Sequence, residues 1–220
     1  MKSAILDKGE EYYTNLSSVF KAIENEQLKY NWLITDCSCC PNDEKLAELF
    51  SKEYIWLSGE ELTKIAYEEE FQFIWGVFSG FSKDVNIEEI LKYDFPFADG
   101  YGGFWADNVG IQHPLASIEI VAWDSSLTMF ISKDDILVDK FRASFPLSED
   151  LSAKNTRENF EIAHIEELLI RELTKGNIDI NEKILHEKYS IWRELYMGRK
   201  ILLKDEDILK CIMKMLPNIL

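Results

Sequence analysis

Hydrophobic and polar residues follow a helical period near the N-terminus of the chain. Over residues 9–25, Tyr13, Leu16, Phe20 and Ile23 recur at the spacing that places them on one helical face. This spacing predicts an amphipathic helix.

Short runs of β-branched and aromatic residues then predict strands at 30–35, 54–57 and 71–78. The run at 71–78 is apolar at nearly every position, which is typical of a central strand covered on both faces. Residues 117–131 predict a hairpin, because apolar positions alternate on either side of a turn at Asp124-Ser125-Ser126.

Helix-start signals stand between these strands. The sequences Ser58-Gly59-Glu60-Glu61, Asn86-Ile87-Glu88-Glu89 and Ser132-Lys133-Asp134-Asp135 have the spacing of capping boxes, in which a side chain accepts from an early helix amide. They predict helices running to about Tyr67, about Tyr93 and Ala143. A further short helix is expected between Pro41 and Phe50.

The character of the sequence changes after Pro146. Residues 147–154 are polar and turn-prone, and three helical patterns follow, at 155–176, 184–197 and 205–217, the first capped by Asn155. We therefore predict an α+β protein, with a mostly antiparallel sheet flanked by helices on one side and followed by a three-helix C-terminal segment. The predicted organisation is an acidic α+β domain at 1–150 and a helical segment at 151–220 packed on it.

Charge is distributed unevenly between these two parts. Residues 1–150 hold 28 carboxylate and 12 basic side chains, whereas residues 151–220 hold 12 of each. The segment 42–107 has a net charge of −10. Such self-repulsion does not stabilise a fold, so the charge is retained for solubility or for a partner. An acidic surface repels nucleic acid and anionic lipid, which favours a basic protein as the partner.

The sequence predicts a cytoplasmic location. Residues 1–7 lack the apolar core of a secretory signal, and no apolar run approaches the roughly 18–20 residues that span a bilayer.

Cys37, Cys39 and Cys40 leave two interpretations open. They could contribute to a zinc site, or they could be reduced thiols that pack as small apolar groups at the end of a strand. The second is favoured, because no second pair of cysteines has the spacing of a zinc site. The residues around Asp99 also lack the acidic spacing of a calcium loop. We predict no metal and no cofactor.

A glycine-rich aromatic loop at 99–107 also has two interpretations. It lacks the lysine and hydroxyl residue of a phosphate-binding loop, and Asp99 and Asp107 would repel phosphate. Its aromatic side chains either fold back into the core or, as Tyr101, Phe104 and Trp105, present an anchor for a partner within an acidic rim.

No catalytic motif competes with a binding role. There is no G-x-S-x-G sequence, and the pairing of Cys37 with His113 is not a motif. We predict no catalytic residues. The predicted binding residues are Glu68, Glu69, Glu70, Asp84, Glu88, Glu89, Asp94, Asp99, Tyr101, Trp105 and Asp107.

Two short sequences carry a resemblance: Tyr30-Asn31-Trp32 at the start of a strand and Trp123-Asp124-Ser125-Ser126 at the hairpin turn. With these, the acidic domain resembles a small family of acidic proteins from Gram-positive bacteria. It also resembles the immunity proteins encoded beside polymorphic toxins. The resemblance implies function by stoichiometric binding, in which a cognate toxin, often a basic nuclease, has its active site masked. The helices after Asn155 depart from this pattern, and no catalytic residue is transferred.

The leading hypothesis is therefore an immunity protein, or antitoxin, that neutralises a basic toxin domain by electrostatically steered tight binding. The alternatives are an acidic mimic of nucleic acid that inhibits a defence nuclease, and a cytosolic enzyme with a site assembled from scattered residues. A structural module that self-associates through its helical tail is a further alternative.

Overall fold

One antiparallel sheet organises the part of the chain that the computed structural model describes, residues 1–69 and 71–160. Its seven strands lie in the order β3-β2-β4-β5-β6-β1-β7, and every neighbouring pair is antiparallel. The strands are β1 (Lys2–Leu6), β2 (Tyr30–Cys39), β3 (Tyr54–Ser58), β4 (Phe73–Ser82), β5 (Ile118–Trp123), β6 (Leu127–Ser132) and β7 (Glu149–Asp150).

Helices begin where side chains cap their first turns. They are α1 (Leu16–Ala22), α2 (Glu44–Phe50), α3 (Gly59–Glu68), α4 (Ile87–Ile90) and α5 (Asp135–Ser144), with 3₁₀ helices at Glu26–Lys29 and Gly102–Trp105. Ser58 and Glu61 form a complete capping box at α3, and Asn86 accepts from the Glu88 amide at α4. The last described residues, 151–160, are also helical.

One face of the sheet is covered by helices, and we call it the helix face. Trp32, Phe78 and Phe130 on this face are fully buried and belong to a cluster that includes apolar residues of α1, α3 and α5. Gly80 makes room for this packing, because a Cβ there would collide with Ile118 and press on Trp32.

The opposite face is covered by a long connection, residues 83–117, and we call it the loop face. Val77, Val121 and Met129 from the sheet pack with Phe104 of the connection and with Leu151 of the segment 151–160. Phe81 and Ile90 belong to a second buried cluster on the same face. Both faces of the sheet are therefore buried. The prediction placed helices on one side of the sheet and assigned no element to the other.

The α+β class and the antiparallel sheet are confirmed for the described residues, but one strand was not predicted and several predicted boundaries were wrong. Strand β1 was missed, because residues 3–6 are all buried and their sequence lacks the alternation that marks a half-exposed strand. The helix predicted over 9–25 is confined to Leu16–Ala22, since Asn15 caps it and Thr14 has a positive φ of 59°.

The predicted caps Ser132 and Asn155 were also wrong. Asp134 caps α5 by accepting from the Ile136 amide, and Asn155 lies inside the helical segment 151–160. Met1–Asn155 form one compact unit. Beyond residue 160, the predicted three-helix segment and its packing on the first domain lie outside the described residues.

No helix in the described part of the chain is long and apolar enough to cross a membrane.

Candidate binding surface

The middle of the 83–117 connection is fixed to the sheet through a bulge in β2. Asp36, at a positive φ of 48°, interrupts the register between β2 and β4. Its carboxylate accepts hydrogen bonds from the amides of Ala98 (2.7 Å) and Asp99 (3.0 Å). The neighbouring Thr35 hydroxyl donates to the Pro96 carbonyl at 2.6 Å. These bonds hold residues 96–99 over the sheet.

The backbone of Phe97 is held a second time by the side chain of Gln112. The Phe97 amide donates to Oε1 at 3.1 Å, and Nε2 donates to the Phe97 carbonyl at 2.9 Å. Because both polar backbone groups of Phe97 are bound, its position is defined although its side chain faces solvent. His113, which follows Gln112 in the sequence, packs its ring against that of Tyr93, with 5.2 Å between the ring centroids. Phe97 and Tyr93 are therefore anchored by adjacent residues of one segment.

Exposed apolar side chains and carboxylates are interspersed along residues 88–99, with the exposed Lys92 among them. Leu91, Tyr93 and Phe97 are 38%, 45% and 46% exposed, and all three lie between positions 91 and 97 of the chain. The acidic side chains of the same stretch are all exposed. We call this set the acidic–aromatic surface, and it consists of Glu88, Glu89, Leu91, Tyr93, Asp94, Phe97 and Asp99.

The aromatic side chains of the glycine-rich loop differ in burial. Phe104 is fully buried in the loop-face core, with its ring 4.8 Å from that of Tyr101. Trp105 is half-buried, with its ring perpendicular to that of Trp123 at 5.2 Å. Tyr101 is half-buried and contacts the exposed ring of Phe97 at 5.3 Å. The loop thus packs through Phe104 and joins the acidic–aromatic surface through Tyr101.

The remaining predicted residues lie elsewhere. Glu68 and Glu69 are at the end of α3, on the helix-face side, where Glu69 accepts from the Asn42 (2.5 Å) and Asp43 (3.0 Å) amides. The carboxylate of Glu68 lies 3.9 Å from the ammonium group of Lys64. Asp84 and Asp107 are exposed in turns of the 83–117 connection, and Glu70 lies outside the described residues. The predicted set therefore includes four exposed carboxylates close together in sequence, between Glu88 and Asp99, and others at distant positions of the chain.

A buried polar cluster beneath the connection was missed by the sequence analysis. Glu119 is fully buried on β5, where Oε2 accepts from the Gln112 amide at 3.1 Å and from the Ser79 hydroxyl at 3.4 Å. No described residue forms a hydrogen bond with its Oε1. Burial raises the pKa of Glu119 to about 8. It alternates along β5 with Ile118 and Ile120, which belong to the helix-face cluster. Through Ser79 on β4 and Glu119 on β5, the cluster binds Gln112, whose side chain holds the backbone of Phe97.

His113 completes this anchorage in a neutral form. Nε2 donates to the Ile90 carbonyl at 3.1 Å, and Nδ1 accepts from the Leu115 amide at 3.2 Å, which defines the tautomer. Burial lowers the pKa of His113, so the ring is uncharged at neutral pH. Together, Glu119 and His113 fix the base of the acidic–aromatic surface.

The raised pKa of Glu119 leads to a prediction about pH. Unfolded, this carboxyl ionises near its ordinary value of 4.5, whereas folded it stays protonated to about pH 8. Folding therefore takes up a proton between these values, and stability falls as pH rises through this interval. Glu119→Gln, which mimics the protonated form, is expected to remove the loss. Between pH 6.5 and 8, the wild type should lose about 1–2 kcal/mol of unfolding free energy relative to the variant, measured by urea denaturation.

The interval above pH 6.5 isolates Glu119. The lowered pKa of His113 reduces stability only as pH falls below its ordinary value of 6.5. Equal pH profiles for the wild type and Glu119→Gln would show that the carboxyl is ionised in the folded protein.

Two cysteine thiols pack against the helix-face core. Cys37 and Cys39 are half-buried on the same side of β2, and Cys40 is exposed. A hydrogen bond between the thiols raises the pKa of Cys37, with burial adding to the effect, and lowers the pKa of Cys39. Within residues 1–69 and 71–160, no three or more His, Cys, Asp and Glu side chains are grouped to hold a metal ion.

Comparison with known proteins finds a similarity over the first part of this fold. Residues 2–98 match a family described as protein of unknown function (DUF2691). The matching segment runs from β1 through α4 and includes most of the acidic–aromatic surface. No curated protein and no solved structure matches the chain.

Proposed function

We propose that this chain is a stoichiometric binding protein, an immunity protein that neutralises a basic toxin domain by covering its active site. The carrying observation is the acidic–aromatic surface, where Leu91, Tyr93 and Phe97 are exposed beside Glu88, Glu89, Asp94 and Asp99. Exposed apolar residues interspersed with carboxylates suit protein recognition, since the apolar residues supply the buried area and the charges guide encounter.

The anchors are held in place before a partner arrives. The Phe97 backbone is bound by Gln112, and the amides of Ala98 and Asp99 are bound by Asp36. A surface fixed in advance loses less conformational entropy on binding, so more of the contact energy is available as affinity.

The charge of the segment 42–107 supports a basic partner. Its net charge of −10 attracts a positively charged domain over about a Debye length, roughly 8 Å at physiological ionic strength. Steering of this kind raises association rate constants toward about 10⁸–10⁹ M⁻¹s⁻¹ at low salt. A nuclease domain that binds phosphate has the required positive surface.

The test begins with identification of the partner in the producing cells. A photo-crosslinking residue at Phe97 is expected to capture a basic protein, and the same residue at Ile136, exposed on α5 at the helix face, serves as the control. The captured domain is then purified and its toxic activity titrated with this chain. Inhibition should be complete at one equivalent.

Two outcomes would contradict the proposal. One is capture of the same protein from both positions, which would make the contact non-specific. The other is a captured domain that keeps its activity when saturated with this chain, which would show binding without neutralisation.

A further inference from the structure

In the part of the chain that the structure describes, the outer edge of β3 pairs with no other strand. Along the described residues, β3 is bonded to β2 on one side and to no strand on the other. The one outward hydrogen bond that the structure gives is from the Ser58 amide to the Glu61 carboxylate, at 2.8 Å.

The capping bond of Ser58 defines which groups of β3 face outward. The Ser58 amide donates to Glu61 and therefore not to β2. In the antiparallel ladder, Asn31 and Ser58 are thus a pair without hydrogen bonds between the two strands. Pairs with and without hydrogen bonds alternate along an antiparallel ladder, so the backbone amides and carbonyls of Ile55 and Leu57 bond to β2. The amides and carbonyls of Tyr54 and Trp56 therefore point away from the sheet.

The sequence of β3 lacks the features that usually protect such an edge. It reads Tyr-Ile-Trp-Leu-Ser, without a charge or a proline, and its register with β2 is regular over five pairs. Natural edges are normally protected by lysine, proline or a bulge. An uncharged, regular edge can accept a further strand.

This edge contacts the 83–117 connection, which carries the acidic–aromatic surface. The ring of Tyr54 lies 5.2 Å from that of Phe95, two residues before Phe97, and the ring of Trp56 lies 5.9 Å from that of Phe81. Tyr54 and Trp56 therefore lie on the loop face, the side that carries the proposed binding surface.

Charge indicates what can occupy the edge. Glu53 precedes β3 and Glu60 follows it, both exposed, and Glu60 pairs with Lys83 at 2.8 Å. The adjoining surface carries four more carboxylates, so the charge near this edge stays negative with Lys52 and Lys92 counted. A second copy of the chain would bring another net charge of −16 to this edge, which disfavours self-pairing. An extended segment with alternating apolar and basic residues matches both the edge and its charge.

We propose that β3 binds an extended basic segment of the partner by strand addition, using the amides and carbonyls of Tyr54 and Trp56. This inference rests on the proposed function for the identity of the partner, but its geometry is tested separately. Main-chain bonds supply the affinity, and the contacts of the added side chains with the rings of Tyr54 and Trp56 supply the preference.

The test uses a synthetic heptapeptide of alternating lysine and valine. Amide hydrogen exchange is followed by NMR on the full chain with and without saturating peptide. Exchange at Tyr54 and Trp56 is expected to slow at least tenfold, whereas Ile55 and Leu57, already bonded to β2, should change little. The same peptide N-methylated at alternate residues, which cannot complete the ladder, should give no slowing.

A matched pair of variants examines the contribution of charge. Glu53→Gln is expected to weaken binding of the peptide about twofold, and Glu10→Gln, at an exposed position between β1 and α1, should leave it unchanged. An alternating glutamate–valine peptide should not bind.

The proposal is overturned if the lysine–valine peptide fails to bind, or if it binds without slowing exchange at Tyr54 and Trp56. Equal binding of the N-methylated peptide would also contradict it. If the lysine–valine peptide slows exchange at Tyr54 and Trp56 but the captured domain is not neutralised, only the proposed function fails. If a toxin is neutralised while Tyr54 and Trp56 exchange unchanged, strand addition alone fails.

Discussion

Replacement of Phe104 by alanine is expected to lower the free energy of unfolding by about 3–5 kcal/mol. The ring is fully buried between the sheet and the glycine-rich loop, 4.8 Å from Tyr101 and 6.1 Å from Trp123. Its removal leaves a cavity under the connection, because its neighbours on β4, β5 and β6 are fixed by the ladder of the sheet. Urea denaturation followed by circular dichroism measures the loss.

Phe97→Ala is the matched control for this prediction. It removes the same atoms from the same connection, but from a side chain that is 46% exposed, so stability should fall by less than about 1 kcal/mol. A loss below about 1 kcal/mol for Phe104→Ala as well would show that the loop does not contribute to the core.

The same Phe97→Ala variant is expected to weaken binding of the neutralised domain by at least about 2 kcal/mol, roughly 30-fold in Kd. Phe97 lies within the acidic–aromatic surface, and its backbone is fixed by Gln112, so its ring is presented to a partner without reordering. Isothermal titration calorimetry with the purified domain gives the change in affinity, and the melting temperature confirms that the variant is folded.

Ile136→Ala provides the comparison for binding. Ile136 is a large exposed apolar residue on α5, at the helix face. Its truncation should leave Kd unchanged. Equal losses for Phe97→Ala and Ile136→Ala would mean that the partner does not select the acidic–aromatic surface.

Local signals in the sequence predicted the elements that depend on local physics. The capping box at Ser58, the cap at Asn86 and the hairpin around Asp124 were all recognised, because each is defined by side chains within a few residues of one another. Strand β1 was not recognised, since a short strand buried on both faces has no alternation to distinguish it.

The site depended on contacts that no local pattern contains. Asp36 binds the amides of Ala98 and Asp99 across more than sixty positions of sequence, and only the fold brings them together. Glu119 is fully buried because the 83–117 connection covers the loop face, and the alternation of β5 does not reveal this cover. The carboxylates from Glu88 to Asp99 were predicted from charge alone, whereas the exposed apolar residues Tyr93 and Phe97 were not.

The central claim is that the acidic–aromatic surface steers and binds a basic domain. Its most direct test is the association rate constant, measured by stopped flow at low and high salt. Two variants with equal loss of charge are compared. One replaces Glu89, Asp94 and Asp99 by their amides, and the control replaces Glu10, Glu11 and Glu48, exposed carboxylates outside this surface.

For the wild type and the control, association should slow at least tenfold from low to high salt. The surface variant should associate several-fold more slowly at low salt and show a weaker salt dependence. Equal rates for the two variants, or a wild-type rate that does not change with salt, would contradict the claim.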